Sequence, residues 1–352
     1  MKTLVINPGS TSTKVALFED LVAITEKRID HPSVELSRYQ TIREQLPMRV
    51  ACVMDFLEQA EIKLSDFDVI VARGGMLPPV RHGAYIIDEF LVETLLERPA
   101  EQHASNLGAG IAWQIAKDGG NVPAFIYDSV SVDEMNGVAR LSGIKGYDRR
   151  SFSHVLNSRA VARAVADREA FDLGNVNVVV AHLGGGISLN LQSKGEIIDV
   201  VTADDGAYSP ERAGGLPVFV AARIAREESA EALYQYEIGK GGLISYTGSN
   251  DAIGLERRAL AGDEYAQLLY EGIAYQVAKS IGGLATVVRG DVRAIILTGG
   301  MARSTLLTDA ITERISFMAP VYLFPGELEM QALAAGGYRV MRGEETARTL
   351  PR

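Results

Sequence analysis

Leu4-Val5-Ile6-Asn7-Pro8-Gly9-Ser10-Thr11-Ser12-Thr13-Lys14-Val15-Ala16-Leu17-Phe18 reads as two apolar strands joined by a hydroxyl-rich turn. Half a chain later, the stretch from Val178 through His182, Gly184-Gly185-Gly186 and Ser188 to Leu191 has the same plan: a strand, a glycine turn and a second strand. The repetition hints at a duplicated α/β domain with one phosphate-facing turn in each half. Working outward, Val69-Ile70-Val71, Ala124-Phe125-Ile126 and Ala294-Ile295-Ile296-Leu297 are apolar runs without alternation, as expected of strands covered on both faces. Helical stripes lie between them, at Ser105 to Ile115, Ala160 to Ala170 and Tyr265 to Val288. In the last, Leu268, Leu269, Ile273, Val277, Ile281, Leu284 and Val288 recur at helical spacing. Strands alternating with helices make the class α/β.

The 352 residues leave room for two domains. With 47% hydrophobic and 23% charged residues, the composition is that of a globular enzyme rather than a disordered chain. A net charge of −10 argues against nucleic-acid and anionic-membrane partners, which need clustered Lys and Arg. A nucleotide needs only a local positive site. Cys52 is the single cysteine, so no internal disulfide or Cys-rich metal site forms and a reducing compartment is expected. The apolar run Leu4-Val5-Ile6 is too short for a signal-peptide core, and no long apolar run follows. The expected location is cytoplasmic.

Three turns carry candidate chemistry. In the first, Pro8-Gly9 sets a tight turn, and Ser10 to Thr13 place four hydroxyls before Lys14. Such a turn offers N–H groups, hydroxyls and a compensating charge to phosphate oxygens, although a solvated hairpin favours the same residues. In the second, Gly184, Gly185 and Gly186 remove every Cβ, so backbone can approach a ligand beside His182. His182 is placed to donate to a transferring phosphoryl group or to be a satisfied core histidine. Three successive glycines cost folding entropy, which favours the functional reading. The third, Leu297-Thr298-Gly299-Gly300-Met301, gives room for a nucleoside against a helix N-terminus, or serves plain packing. No Walker-type Gly-rich lysine loop, Gly-x-Ser-x-Gly elbow, His-Glu-x-x-His or Cys-x-x-Cys is present.

In order and spacing, these turns resemble those of the acetate and butyrate kinases. The resemblance continues through Val71-Ala72-Arg73-Gly74-Gly75, Asp128 with Val132-Asp133-Glu134-Met135, and Ser209 to Pro217 with Arg212. It also includes Lys240 to Leu243, Thr247 to Asp251, and Pro325-Gly326-Glu327-Leu328-Glu329-Met330. It implies two duplicated actin/ribonuclease-H-like domains, each a mixed β-sheet flanked by helices, with a cleft that closes over the nucleotide. The expected domains are residues 1–150 with 329–352, on the acyl and phosphate side, and residues 151–328, which bind nucleotide. The implied reaction moves the γ-phosphoryl of ATP directly and reversibly to a short-chain carboxylate, butyrate by pattern, with Mg²⁺ carried by ATP or ADP. The resemblance implies at least a dimer.

Residue by residue, the resemblance implies that Asn7, Ser10, Ser12 and Lys14 face the phosphates from one domain. His182 and Gly184 to Gly186 face them from the other. Asp128 and Glu329 organise Mg²⁺, Arg73 and Arg212 hold the carboxylate and transition state, and Gly299 and Gly300 border the adenosine. Three positions depart from the pattern. Ile70 stands where acetate kinases carry a substrate arginine. Ser129 stands in place of proline, and Thr202 to Tyr208 fits loosely, leaving Asp204 and Asp205 unassigned. Competing readings are an isobutyrate kinase, and a phosphatase or polyphosphate hydrolase using Glu211 or Asp205 to activate water. A nucleotide-controlled clamp and a sugar kinase with Asp128 as base complete the set.

Overall fold

Leu4, Val5, Ile6, Val69, Ile70 and Val71, like Val178 to Val180 and Ile295 to Leu297, are fully buried, the environment of central strands covered on both faces. The computed structural model describes residues 1–352, divided into two units: Met1–Asp133 with Leu328–Arg352, and Glu134–Glu327. The first unit contains β1 (Lys2–Pro8), β2 (Ser12–Glu19), β3 (Val22–Asp30), β4 (Val69–Arg73), β5 (Ala84–Ile86) and β6 (Ala124–Tyr127). They form one sheet in the order β3-β2-β1-β4-β6-β5. β1, β2 and β3 are an antiparallel meander; β4 is parallel to β1 and β6 to β4.

The second unit contains β7 (Asn177–Leu183), β8 (Ile187–Ser193), β9 (Glu196–Val201), β10 (Ala294–Gly299) and β11 (Val321–Pro325), ordered β11-β10-β7-β8-β9. Here too the first three strands are an antiparallel meander, and β10 and β11 run parallel to β7. The series β9-β8-β7-β10-β11 therefore repeats β3-β2-β1-β4-β6 strand for strand, and the hinted duplication is a shared topology. Register makes the match residue-specific. Ile6 pairs with Ala72 and Ala181 with Leu297, so Asn7 corresponds to His182, Arg73 to Thr298, and Gly74-Gly75 to Gly299-Gly300.

The long helix Glu264–Val287 buries Leu269, Ile273, Val277, Ile281 and Leu284 against the second sheet. Leu268, expected in that stripe, is 62% exposed. At 100° per residue, it is rotated off the line that its neighbour Leu269 begins. β3 was not anticipated because most of its residues are exposed; pairing with β2, rather than burial, holds it. No helix is long and apolar enough to cross a membrane.

Chain order and packing are crossed. Helix Val155–Arg168 precedes β7 and packs on β7 and β10, whereas the C-terminal helix Glu329–Met341 follows β11 and packs on β1, β4 and β6. Gly336 and Gly337 let the latter lie close to its sheet. A Cβ at Gly336 would fall 2.4 Å from the Tyr127 ring, and one at Gly337 2.4 Å from Val71 Cγ2. The sequence places a boundary near residue 150, while the two units divide at Asp133/Glu134 with Leu328 in the first. Residues before 150 take their hydrogen bonds from β9: Asn136 N–H donates to Ile198 O at 3.0 Å, and Arg149 donates to Val200 O at 2.7 Å.

Candidate active site

In the first unit the candidate residues collect at the C-terminal ends of parallel strands, where open α/β sheets bind ligands. Gly9 N–H donates to Ser12 O at 2.8 Å and closes the β1–β2 turn. Ser10 and Thr11 are exposed, Ser12 is buried, and Lys14 pairs across the ladder with Asn7. Asn7 is the penultimate residue of β1, Arg73 ends β4, and Glu329 opens the C-terminal helix. These three are one bonded cluster. Asn7 Nδ2 donates to Glu329 at 2.8 Å, while Arg73 donates to Asn7 Oδ1 at 3.4 Å and to Glu329 at 3.3 Å.

Asp128, one residue past β6, is buried with φ 41°, a left-handed conformation that Asp tolerates better than most residues. Its Oδ1 accepts the Gly83 N–H at 2.8 Å. Ser129 Oγ donates to Gly75 O at 2.6 Å, so the serine standing in place of proline anchors the Gly-Gly segment that follows Arg73. A Cβ at Gly74 would fall 2.6 Å from that of Ser129. No group of three or more His, Cys, Asp or Glu side chains could cage a metal ion. Of the two carboxylates expected to organise Mg²⁺, Asp128 accepts the Gly83 N–H, and Glu329 is engaged by Asn7 and Arg73.

In the second unit, His182 is buried near the end of β7 and stacks on His154, with ring centroids 3.8 Å apart and planes 5° from parallel. The Asn157 amide nitrogen lies 3.0 Å from His182 Nδ1 and 3.2 Å from Thr298 Oγ1. With that amide as donor, Nδ1 accepts and the neutral ring carries its proton on Nε2. Nε2 lies 3.8 Å from Glu327. The triple glycine has a separate steric reason at each position. A Cβ on Gly184 would lie 3.0 Å from His182 Nε2, one on Gly185 3.3 Å from the Glu211 carboxylate, and one on Gly186 3.2 Å from Arg212 Cζ. His182, Glu211 and Arg212 thus converge on one turn.

Gly299 has φ 93°, and a Cβ there would fall 2.3 Å from Leu183 O, whereas Gly300 has open space around it. Gly300 borders a 630 Å³ pocket, also lined by Gly184, Glu211, Asn250, Glu256 and Arg303. Burial and nearby Asp204 push the Glu237 carboxyl up to about 7, against the opposing pull of Arg212. Asp205 accepts from Thr202 N–H, Thr202 Oγ1 and Arg149, and Asp204 accepts from Thr202 Oγ1. Both aspartates therefore brace the loop after β9.

Asn157, Glu327 and His154 were missed in the sequence. A buried Asn inside a helix is a usable signal, because that residue is costly there without a partner. Glu327 belongs to the Pro325–Met330 segment that carries the resemblance but has no role assigned there; β11 ends before it, and the helix begins after it.

The acetokinase family model matches residues 135–319, more than half the chain, and the protein belongs to that family of carboxylate kinases. Its fold is similar to that of acetate kinase from Porphyromonas gingivalis (17% identity, TM-score 0.79, covering 97% of this chain and 99% of that one). It is similarly close to a propionate kinase from Francisella tularensis (17% identity, TM-score 0.76, 95% and 98% covered). A ROK family protein from Streptococcus pneumoniae shares the two-domain architecture more distantly (12% identity, TM-score 0.55, 98% and 100% covered).

Proposed function

We propose that the protein transfers the γ-phosphoryl group of ATP, reversibly and in line, to butyrate. The observation that carries the reading is the His182 ring, with Nδ1 committed to Asn157 and Nε2 turned to the Gly184 face. A carboxylate is already a nucleophile at neutral pH, so the reaction needs no general base. Its obstacle is the approach of two anions and the charge spreading over the equatorial oxygens. Arg73 binds the carboxylate; Arg212 and the His182 Nε2–H donate to the transferring group, and the Gly184–Gly186 turn brings backbone close. Ser10, Ser12 and Lys14 hold phosphate oxygens, with Asn7 alongside, and the pocket at Gly300 takes the adenosine. Asp128 and Glu329 would hold Mg²⁺ carried by the nucleotide, which would neutralise phosphate charge.

Butyrate is favoured over acetate by Ile70. Acetate-kinase-like sequences carry an arginine there, while here the position is a fully buried isoleucine inside β4. The hydrolase reading loses Asp205, which is engaged by Thr202 and Arg149. The test is ATP-dependent hydroxamate formation across acetate, propionate, butyrate, isobutyrate and valerate. A maximum at butyrate supports the proposal, and one at isobutyrate moves it to the branched acid. ATP hydrolysis without acyl phosphate from any acid would overturn it.

A further inference from the structure

Arg49, in helix Leu46–Gln59, is fully buried directly behind the β1–β2 turn. Its Nη1 donates to Gly9 O at 2.8 Å, Ser12 O at 3.0 Å and Thr13 Oγ1 at 3.2 Å. Nη2 donates to Ser10 O at 3.2 Å and, like Nε, to Gln45 Oε1. The remaining turn carbonyl, Thr11 O, accepts the His31 N–H at 2.7 Å. Arg49 therefore holds the carbonyls of Gly9, Ser10 and Ser12, and the chain beside β3 holds that of Thr11. In a trans peptide the C=O and N–H point in opposite directions, so the N–H groups of Ser10 and Thr11 turn away from Arg49.

All of these acceptors are neutral. A buried guanidinium without a carboxylate is costly, and arginine stays protonated. The corresponding turn of the second unit needs no charge for the same clasp: Gly185 O is held by Ser209 Oγ at 2.6 Å and by the Glu211 N–H at 3.2 Å. Backbone clasping alone does not explain Arg49.

We propose that Arg49 is a positioning residue for phosphate: it presets the Ser10 and Thr11 N–H groups of the Gly9–Thr13 turn and backs them with a buried positive charge whose counter-ion is the bound nucleotide phosphate. This rests on the assignment of that turn to phosphate made above. Calorimetric binding of ATP and of adenosine to Arg49→Met, Arg49→Lys and Lys14→Met, each below its melting temperature, tests both. Arg49→Met is expected to weaken ATP by about 10- to 100-fold while adenosine changes by less than about twofold. Arg49→Lys, which keeps the charge but not the fork, falls between. Equal loss for ATP and adenosine would mark a merely structural role and overturn the proposal. ATP loss in Lys14→Met but none in Arg49→Met would overturn it while leaving the turn's assignment intact. No loss in either would sink the assignment itself. Should Arg49→Met not fold, Arg49→Lys decides by the same comparison. If neither folds, nitrogen-resolved spectra of the unmutated protein decide. Ser10, Thr11 and Arg49 Nε–H signals that move together with ATP, but not with adenosine, uphold the proposal; static signals overturn it.

Discussion

At the end of β4 the first unit presents Arg73, and at the matching point of β10 the second presents Thr298; one residue before the ends of β1 and β7 stand Asn7 and His182. Asn7 and Arg73 are tied to a buried carboxylate, Glu329, in a charged cluster. Thr298 and His182 are tied through the neutral amide of Asn157, and the turn beside them is glycine. One sheet order has thus been given two chemistries. The shared topology sets where strand ends lie, and the few residues on those ends decide what they attract. A charged cluster suits a small anion that brings its own charge. A glycine turn suits a larger ligand that the backbone must approach closely.

The comparison can be broken first on its charged side. Arg73→Ala should lower kcat/KM for the carboxylate by about 10³-fold, chiefly through KM, and leave KM for ATP within about threefold. Steady-state kinetics with each substrate varied would check this, and equal losses for both would erase the division of labour. On the other side, His182→Ala should lower kcat by about 10²-fold with the carboxylate KM little changed. Gly184→Ala should cost about tenfold in kcat, since its Cβ would sit 3.0 Å from Nε2, a contact relieved by a few tenths of an ångström. Asn157→Leu removes the donor to both His182 Nδ1 and Thr298 Oγ1. A denaturant melt should show a loss of about 1–3 kcal/mol, accompanied by lower kcat as the imidazole tautomer is released.

The smallest effect sharpens the electrostatics of the glycine side. The Glu237 carboxyl is raised to about 7 by burial and Asp204, so the folded state binds its proton more tightly than the unfolded chain does. The stability this lends is fully present below the ordinary carboxyl range and is lost as pH rises through about 7. Melting temperatures of the protein and of Glu237→Gln should therefore diverge from pH 5 to pH 8, with the variant relatively more stable at the alkaline end. Parallel curves would show that Glu237 titrates normally.

Residue pattern alone marked the central strands, because runs such as Val178-Val179-Val180 and Ile295-Ile296-Leu297 have no reason to be unbroken unless both faces are covered. It also marked the paired turns, since glycine triplets and hydroxyl clusters are local requirements written in adjacent residues. β3, a mostly exposed strand that pairing alone holds, carried no such mark. Neither did the crossing of the C-terminal helix onto β1 and β4, because Gly336 and Gly337 mean close packing only once Tyr127 and Val71 lie opposite. Leu268 carries the apolar character of the stripe but faces out, since rotation about a helix is decided by what the neighbours bury. The partnerships of Asn7 with Glu329, Asn157 with His182 and Arg49 with the Gly9–Thr13 turn were equally invisible. Strands, turns and the candidate donors on them were written in the residue order. Which donors share a carboxylate, a tautomer or a buried charge was fixed by folding, because those are energies of contact between residues that the chain keeps far apart.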